Sequence, residues 1–307
     1  MKTIKVRAPV NIALIKYWGK ADEIRVLPTT TSVSLTLTDL YTETTFTPGP
    51  FSFTLNGKPG DDHEVQRVKD VLQHFAHTQV QIDSVNNFPT ASGLASSASG
   101  FAALTYGLNE FFEAHYSLTE LATLTRIGSG SSCRSLVDGF AIWHRSGALT
   151  QLKNPFKNLM MLIVIISETK KPISSREAMK ATKETSVQYA SWIDQSEEDY
   201  QHMMQAIDQQ NFQALGDITE QNSTRLHQVM ATANPPIIYQ QPESLHVLNV
   251  VRLARQQGLF GYATMDAGPN VKILISGDQL SDWEMYIKAH VKQRYLVSRI
   301  GGSVHVT

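Results

Sequence analysis

The stretch FPTASGLASSASG, Phe88 to Gly100, holds four serines, two glycines and otherwise mostly small residues, and it runs straight into the helix-forming segment FAALTYGLNEFF. Before it, Gln79 to Val85 alternates apolar and polar residues as a strand does. A strand, a Gly/Ser loop and a helix in that order make an anion site, because the free N–H groups and the positive end of the helix both face the loop. Phosphate is the guest such a loop suits. The usual P-loop pattern is absent: Gly19-Lys20 is followed by Ala21 and Gly57-Lys58 by Pro59, where that pattern needs Ser or Thr. On this stretch alone a second reading stays open, a small-residue loop that lets a helix pack closely.

The whole chain limits the guests. Its 307 residues, 42% of them hydrophobic, are ample for a core of one large domain or two moderate lobes. A formal charge of −1 gives no broad basic field for nucleic acid or an anionic membrane, so any anion must be held by a local site. Cys133 is the single cysteine, which excludes an intramolecular disulfide and a cysteine-rich metal cage and fits a reducing cytoplasm. The N-terminal MKTIKVRAPV has no apolar run of signal-peptide length. The longest apolar run, LMMLIVIIS from Leu159, is too short to span a bilayer and reads as a buried strand.

Coarse patterning places strands first: KTIKVRA, NIALIKYW, SVSLTL, ETTFT and FSFTL. Asp62 to His77 sets Val65, Val68, Leu72 and Phe75 at helical spacing, and Ser117 with Glu120 forms a capping box for SLTELATLTRIG. After Leu159 helices dominate: SSREAMKATKETSVQYASWI, EEDYQHMMQAIDQ, FQALGDITEQNSTRLHQVM and ESLHVLNVVRLARQQ, stopped by Gly258. Strands GYATMD and VKILIS return near the end, before a helix over Trp283 to Gln293. Strands, then helices, then strands again is an α+β pattern, and with no repeat or linker it predicts two lobes sharing one cleft.

Four further motifs carry candidate chemistry. RIGSGSSCRS, Arg126 to Ser135, misses GxGxxG because Cys133 replaces the last glycine; its hydroxyls and Arg134 suit an oxyanion. Cys133 beside Arg134 reads either as a low-pKa nucleophile or as a small buried thiol. In NIALIKYWGKAD, strand geometry puts Lys16, Trp18 and Lys20 on one face, opposite Tyr17, unless Gly19 bends the chain; the motif alone reads as surface lysines on an edge strand. TMDAGPNV, Thr264 to Val271, sets Asp266 at a strand end before a tight turn, where it either faces a cleft or caps its own backbone. His74 and His77 have ligand spacing on a polar helix face that otherwise reads as solvated.

Taken together, these motifs bring a family into view. PTASGLASSASG resembles the phosphate loop of the galactokinase, homoserine kinase, mevalonate kinase and phosphomevalonate kinase (GHMP kinase) superfamily. With NIALIKYWGK, RIGSGSSCRS, SSREAM and TMDAGPNVKI, in order from residue 4 to residue 276, the chain resembles the diphosphomevalonate decarboxylase branch. The resemblance implies an α+β, GHMP-kinase-like two-lobed fold around one active-site cleft. Its N-terminal part would be ribosomal-protein-S5-like, with a left-handed crossover, and its C-terminal part ferredoxin-like. We place the ATP-binding domain at 1–170 and the substrate-side domain at 171–307.

The implied activity is ATP-dependent decarboxylation of mevalonate 5-diphosphate to isopentenyl diphosphate, through phosphorylation of the C3 hydroxyl and loss of phosphate and carbon dioxide. By resemblance Asp266, Arg134 and Lys20 are catalytic: Asp266 orients or deprotonates the C3 hydroxyl and Arg134 grips the substrate carboxylate. Tyr17, Lys20, Ser129, Ser131, Ser175 and Arg176 would join Arg134 in holding the substrate. Pro89, Ser92, Gly93, Leu94, Ala95, Ser96 and Ser97 would wrap ATP, with Mg2+ bound and no protein ligand to it assigned. The resemblance further implies a cytoplasmic homodimer without nucleic-acid or membrane partners. The chain departs from relatives at Asp138, where a glycine often precedes Gly139, and at Thr29 to Thr31. The rival readings are a mevalonate 3-kinase or a monophosphate decarboxylase on the same scaffold, and a catalytically silent metabolite-binding module.

Overall fold

The computed structural model describes residues 2–75, 78–89, 96–169 and 171–307. The chain opens with β1 (Ile4–Ile15), the small hairpin β2 (Lys20–Asp22) and β3 (Leu27–Pro28), the long β4 (Ser32–Pro48), and β5 (Ser52–Leu55) with β6 (Lys58–Pro59). Then follow α1 (Asp62–Leu72), β7 (Val80–Asn86), α2 (Ser96–Phe112), α3 (Leu118–Gly128), a 3₁₀ turn over Gly130–Ser135, β8 (Phe140–Trp143), β9 (Leu149–Leu152) and β10 (Leu159–Val164). The remainder is α4 (Ser175–Thr185), α5 (Tyr189–Asp208), α6 (Phe212–Ala231), α7 (Pro242–Gln256), β11 (Gly261–Thr264), β12 (Val271–Ser276), α8 (Leu280–His290), β13 (Tyr295–Arg299) and β14 (His305–Val306).

Among the described residues one mixed sheet is built on β14-β1-β4-β7-β5-β6, with β8 added on β4 and β9 on β8, and a second is ordered β11-β12-β10-β13. KTIKVRA and NIALI form one continuous strand rather than two. Its pairing with β4 jumps register between Pro9 and Val10, and its buried residues change company there: Val6 and Ala8 pack in the core under α1, α2 and α3, whereas Val10, Ile12 and Leu14 pack in the core shared with α5 and α6. β1 therefore runs through both lobes.

The second sheet explains the apolar run at Leu159. Leu159, Met161 and Ile163 enter the core with β1, α5 and α6, while Leu162 and Val164 enter a separate core with α7 and α8. A strand buried on both faces needs apolar residues without alternation. Lys272 of β12 puts a charged side chain into this layer and is fully buried there.

The capping boxes at Asp61/Glu64, Ser117/Glu120 and Ser174/Glu177 start α1, α3 and α4. The predicted helix over SSREAMKATKETSVQYASWI is broken at Ser186, whose hydroxyl bonds that of Thr232 at 2.7 Å, so α4 and α5 are separate. The helix expected over Trp283 to Gln293 starts earlier and stops at His290. Strands β8, β9, β13 and β14 go beyond the patterning. Among the described residues no helix is long and apolar enough to cross a membrane.

Candidate active site

The second half of β1, the N-terminal turn of α2, the 3₁₀ turn, the N-terminus of α4, α6 and the segment after β11 converge on one cleft of about 350 Å³. Of the expected site residues, Tyr17, Lys20, Ser96, Ser97, Ser129, Ser131, Arg134, Ser175, Arg176 and Asp266 all line it. Ser92, Gly93, Leu94 and Ala95 lie outside the described residues, as does His77, and Pro89 is half-buried at the start of that connection.

Asp266 follows β11 in a loop pinned at several points. The Ser223 hydroxyl accepts from the Met265 N–H at 2.9 Å, Ser244 donates to the Pro269 carbonyl at 2.7 Å, and the Asn270 side chain accepts from Ile166 and Ser167 N–H groups at 2.6 and 3.0 Å. The carboxylate points into the cleft, 27% exposed, and faces ammonium groups: Lys16 Nζ is 2.8 Å from Oδ1 and Lys272 Nζ 3.1 Å from Oδ2. Burial alone would raise its pKa, but the two lysines outweigh it and hold the carboxyl far below the usual range.

Lys16 corrects the edge-strand reading of NIALIKYWGKAD. Strand β1 lies between β14 and β4 and stops at Ile15; Lys16 is 1% exposed, Trp18 is buried, and Lys20 is 9% exposed. Lys16 donates to the Ala13 carbonyl at 2.8 Å as well as to Asp266, and its own N–H is received by Asn222 of α6 at 2.8 Å. Burial lowers the Lys16 ammonium to about 8 against the opposing pull of Asp266. Gly19 makes the bend that follows: its φ is +109°, and a Cβ there would lie 1.7 Å from the Tyr189 hydroxyl.

Arg134 is buried in the 3₁₀ turn, where its Nε donates to Asn11 Oδ1 at 3.2 Å and its Nη1 to the Ser32 hydroxyl at 2.6 Å. Among the described residues no carboxylate lies within salt-bridge distance of it, so the cleft presents a desolvated guanidinium with capacity for an anion. Asn11 is itself fixed, donating to Ser135 Oγ at 2.8 Å and the Ser131 carbonyl at 3.2 Å. Cys133 is the buried thiol of the two earlier readings: burial raises it to about 11, against the pull of Arg134, which leaves it unreactive.

Around the rim, the Tyr17 ring packs 4.7 Å from that of Trp143, and its hydroxyl is buried with no partner among the described residues. A Cβ on Gly130 would lie 2.8 Å from that hydroxyl, so only glycine lets the turn approach it. Lys20 Nζ pairs with Glu23 at 2.7 Å. Lys171 bridges the Ser175 hydroxyl and the Ala267 carbonyl, both at 2.6 Å, and burial, reinforced by Lys272, lowers it to about 8. Arg67 of α1, which none of the sequence motifs singles out, lines the cleft beside His63, stacks 4.5 Å over Phe101 and donates to the Gly128 carbonyl that ends α3. His74 is exposed.

The arrangement is one carboxylate among several cations, which suits a small polyanion. The Ser96 and Ser97 hydroxyls stand in the same cleft as the single carboxylate of Asp266. This sparse donor set fits a magnesium ion carried mainly by nucleotide phosphates, and among the described residues no group of three acidic, histidine or cysteine side chains forms a cage.

Residues 8–152 match the family model of the diphosphomevalonate decarboxylase-like N-terminal domain, and residues 161–301 match that of the mevalonate 5-diphosphate decarboxylase C-terminal domain. Diphosphomevalonate decarboxylases of Candida albicans and Rattus norvegicus are each 34% identical, over 89% and 90% of this chain and 84% and 77% of theirs. Among solved structures, the complex of MDDEF with MVAPP, AMPPCP and magnesium is 38% identical with a TM-score of 0.93, over 100% of this chain and 99% of that one. The mevalonate diphosphate decarboxylase of Staphylococcus aureus is 35% identical with a TM-score of 0.93, over 100% and 98%.

Proposed function

The chain belongs to the diphosphomevalonate decarboxylase family, and on that premise we propose how its cleft carries out ATP-dependent decarboxylation of mevalonate diphosphate to isopentenyl diphosphate. The C3 hydroxyl attacks the γ-phosphorus of ATP and ADP leaves. The C3 phosphate ester then departs as inorganic phosphate, and the bond to the carboxylate breaks, giving carbon dioxide and the electron pair of the new double bond. A tertiary alcohol leaves poorly until it is phosphorylated, so both halves of the reaction must share one pose.

In this reading Asp266 accepts the hydrogen bond of the C3 hydroxyl and aligns it for attack; because two lysines hold its carboxyl far below the usual range, it acts by orientation, and the hydroxyl proton passes on to the transferred phosphoryl group. Arg134 holds the substrate carboxylate and keeps it from standing beside Asp266 as a second unpaired anion. Tyr17, Lys20, Ser129, Ser131, Ser175 and Arg176 hold the diphosphate, and Ser96 and Ser97 meet the nucleotide phosphates at the start of α2. Bound Mg2+ supplies neutralisation of the phosphate oxygens. The observation that carries the reading is that buried Arg134, with no carboxylate partner among the described residues, and Asp266 line the same small cleft. Lys20, Tyr17 and Arg176 favour the diphosphate over a substrate with one hydroxyl there.

The reading divides the chain at residue 170 into a part that carries Ser96 and Ser97 for the nucleotide and a part that carries Ser175, Arg176 and Asp266, with Tyr17, Lys20, Ser129, Ser131 and Arg134 reaching the substrate from the first part. It extends to a cytoplasmic location, which the single free cysteine favours, to the absence of nucleic-acid partners, which the near-zero net charge favours, and, by the family resemblance alone, to a homodimer. Coupled release of ADP and carbon dioxide tests the activity on mevalonate, its monophosphate and its diphosphate. Both products with the diphosphate are expected. ADP without carbon dioxide would assign a 3-kinase, and neither product would leave a silent binding module.

A further inference from the structure

We propose that Lys272 is a positioning residue for this reaction: from an interior strand it holds the second oxygen of Asp266, so that Lys16 and Lys272 together fix the direction and the charge of that carboxylate. The inference rests on the role given to Asp266 above.

Lys272 occupies a position where the fold asks for an apolar side chain. It pairs with Ile163 of β10 and Thr264 of β11 inside the four-stranded sheet, and its strand neighbours Val271 and Ile273 are core residues. It shares the face of Leu274, which packs in the core with β1, α5 and α6. A lysine with 0% exposure there has lost its hydration shell, a cost that an anion must offset. Its ammonium group forms an ion pair with Asp266 Oδ2 at 3.1 Å.

The carboxylate did not need a second lysine merely to be neutralised, because Lys16 already sits 2.8 Å from Oδ1. The groups facing Asp266 from the packed elements are Lys16 at the end of β1, Lys272 on β12, Lys171 before α4, Arg134 in the 3₁₀ turn and the buried imidazole of His227 on α6. Two ammonium groups on opposite oxygens restrict rotation about the carboxyl bond in a way one cannot. The Asp266 side chain so held keeps 27% of its surface open, on the cleft side.

A structural role and a positioning role part on stability. Lys272→Met removes a buried charge while Lys16 still compensates Asp266, and an unbranched apolar chain suits the layer. We expect thermal stability equal to or above that of the wild type. At the same time kcat should fall about tenfold or more with both KM values within about threefold, and the acid limb of kcat/KM should move to higher pH. Lys272→Arg should keep the acid limb in place. Unchanged kcat and an unmoved acid limb in Lys272→Met would overturn the proposal, as would a loss of stability with kinetics unchanged.

An activity-independent readout separates this from the function reading. In protein carrying isotope-labelled aspartate carboxyls, the Asp266 signal is the one lost in Asp266→Asn. It should stay ionised in the wild type to the lowest pH at which the protein remains folded, and titrate higher in Lys272→Met. Titration of the wild-type signal at about 4, the ordinary carboxylate value, would overturn the clamp even if Lys272→Met does not fold. Absence of ADP and carbon dioxide release by the wild type would instead defeat the function reading and leave this titration to decide the clamp.

Discussion

Lys16 and Asp266 are 250 positions apart in the chain and 2.8 Å apart in the fold, one at the end of β1 and the other just past β11. The pair joins a strand common to both cores with the loop that presents the carboxylate. Removing the acid should therefore disable the chemistry more than the binding. Asp266→Asn is expected to lower kcat by about 10²-fold or more with a smaller change in KM, whereas Lys20→Met should chiefly raise KM for mevalonate diphosphate. Steady-state kinetics of the two variants check this, and equally small effects from both would contradict the division of labour.

The alkaline side of the pH profile follows from Lys16 and Lys171, both lowered by burial to about 8. A lowered base sheds its proton early, so the cleft loses positive charge as pH rises through that value rather than through the ordinary lysine range. kcat/KM for mevalonate diphosphate, which reports the free enzyme, should fall above about pH 8. Bound substrate anions favour the charged lysines, so the limb in kcat should lie higher. A kcat/KM profile flat well past that value would remove both lysines from binding.

Asn222 holds the backbone of Lys16 and is held in turn. Its amide donates to Asp199 Oδ2 at 2.9 Å and to the Ser196 hydroxyl at 3.2 Å, and Asp199 receives Arg225 Nη1 on both oxygens, at 2.6 and 2.5 Å. Asn222→Leu strands the buried N–H of Lys16 and should cost about 1–3 kcal/mol in urea unfolding. It should also lower kcat, and the loss should not add to that of Lys16→Met, because both act on one ammonium group.

His227 gives the protein an acid weakness. Burial, with Lys16 nearby, lowers its imidazole from 6.5 to about 4, and its Nε2 has no hydrogen-bond partner among the described residues. Between those values the unfolded chain binds a proton that the native state refuses, so stability falls as pH drops through the window, by about 3 kcal/mol in all. His227→Gln should flatten that part of the stability curve. Denaturant midpoints that run parallel for the two proteins across the window would refute it.

Much of the cleft was legible because its residues come as short motifs: the serine loop, the Arg134 turn and the aspartate turn all meet there. Alternation read through NIALIKYWGKAD puts Lys16 on an edge-strand surface, but the strand ends at Ile15; the glycine at position 19 is the local sign of the bend. Lys272 hides for another reason. A single lysine in VKILIS looks like the solvent face of a half-buried strand, and nothing local says that both faces of that sheet are covered. Arg67 and His63 lie one helical turn apart on a polar face, and only the packing of α1 near the end of α3 turns that face toward the cleft. The outer strands β13 and β14 are short, and their place is set by partners far away in the chain.

The continuity of β1 through both cores limits how the molecule can breathe. Parting the two cores like a hinge would require one strand to buckle between Val6 and Leu14, along a run paired to β4 on one side. The floor under Asn11, Ala13 and Lys16 thus behaves as a rigid spar. One strand thereby sets the spacing of the two reactive charges, since Asn11 holds the Arg134 guanidinium and Lys16 holds the Asp266 carboxylate.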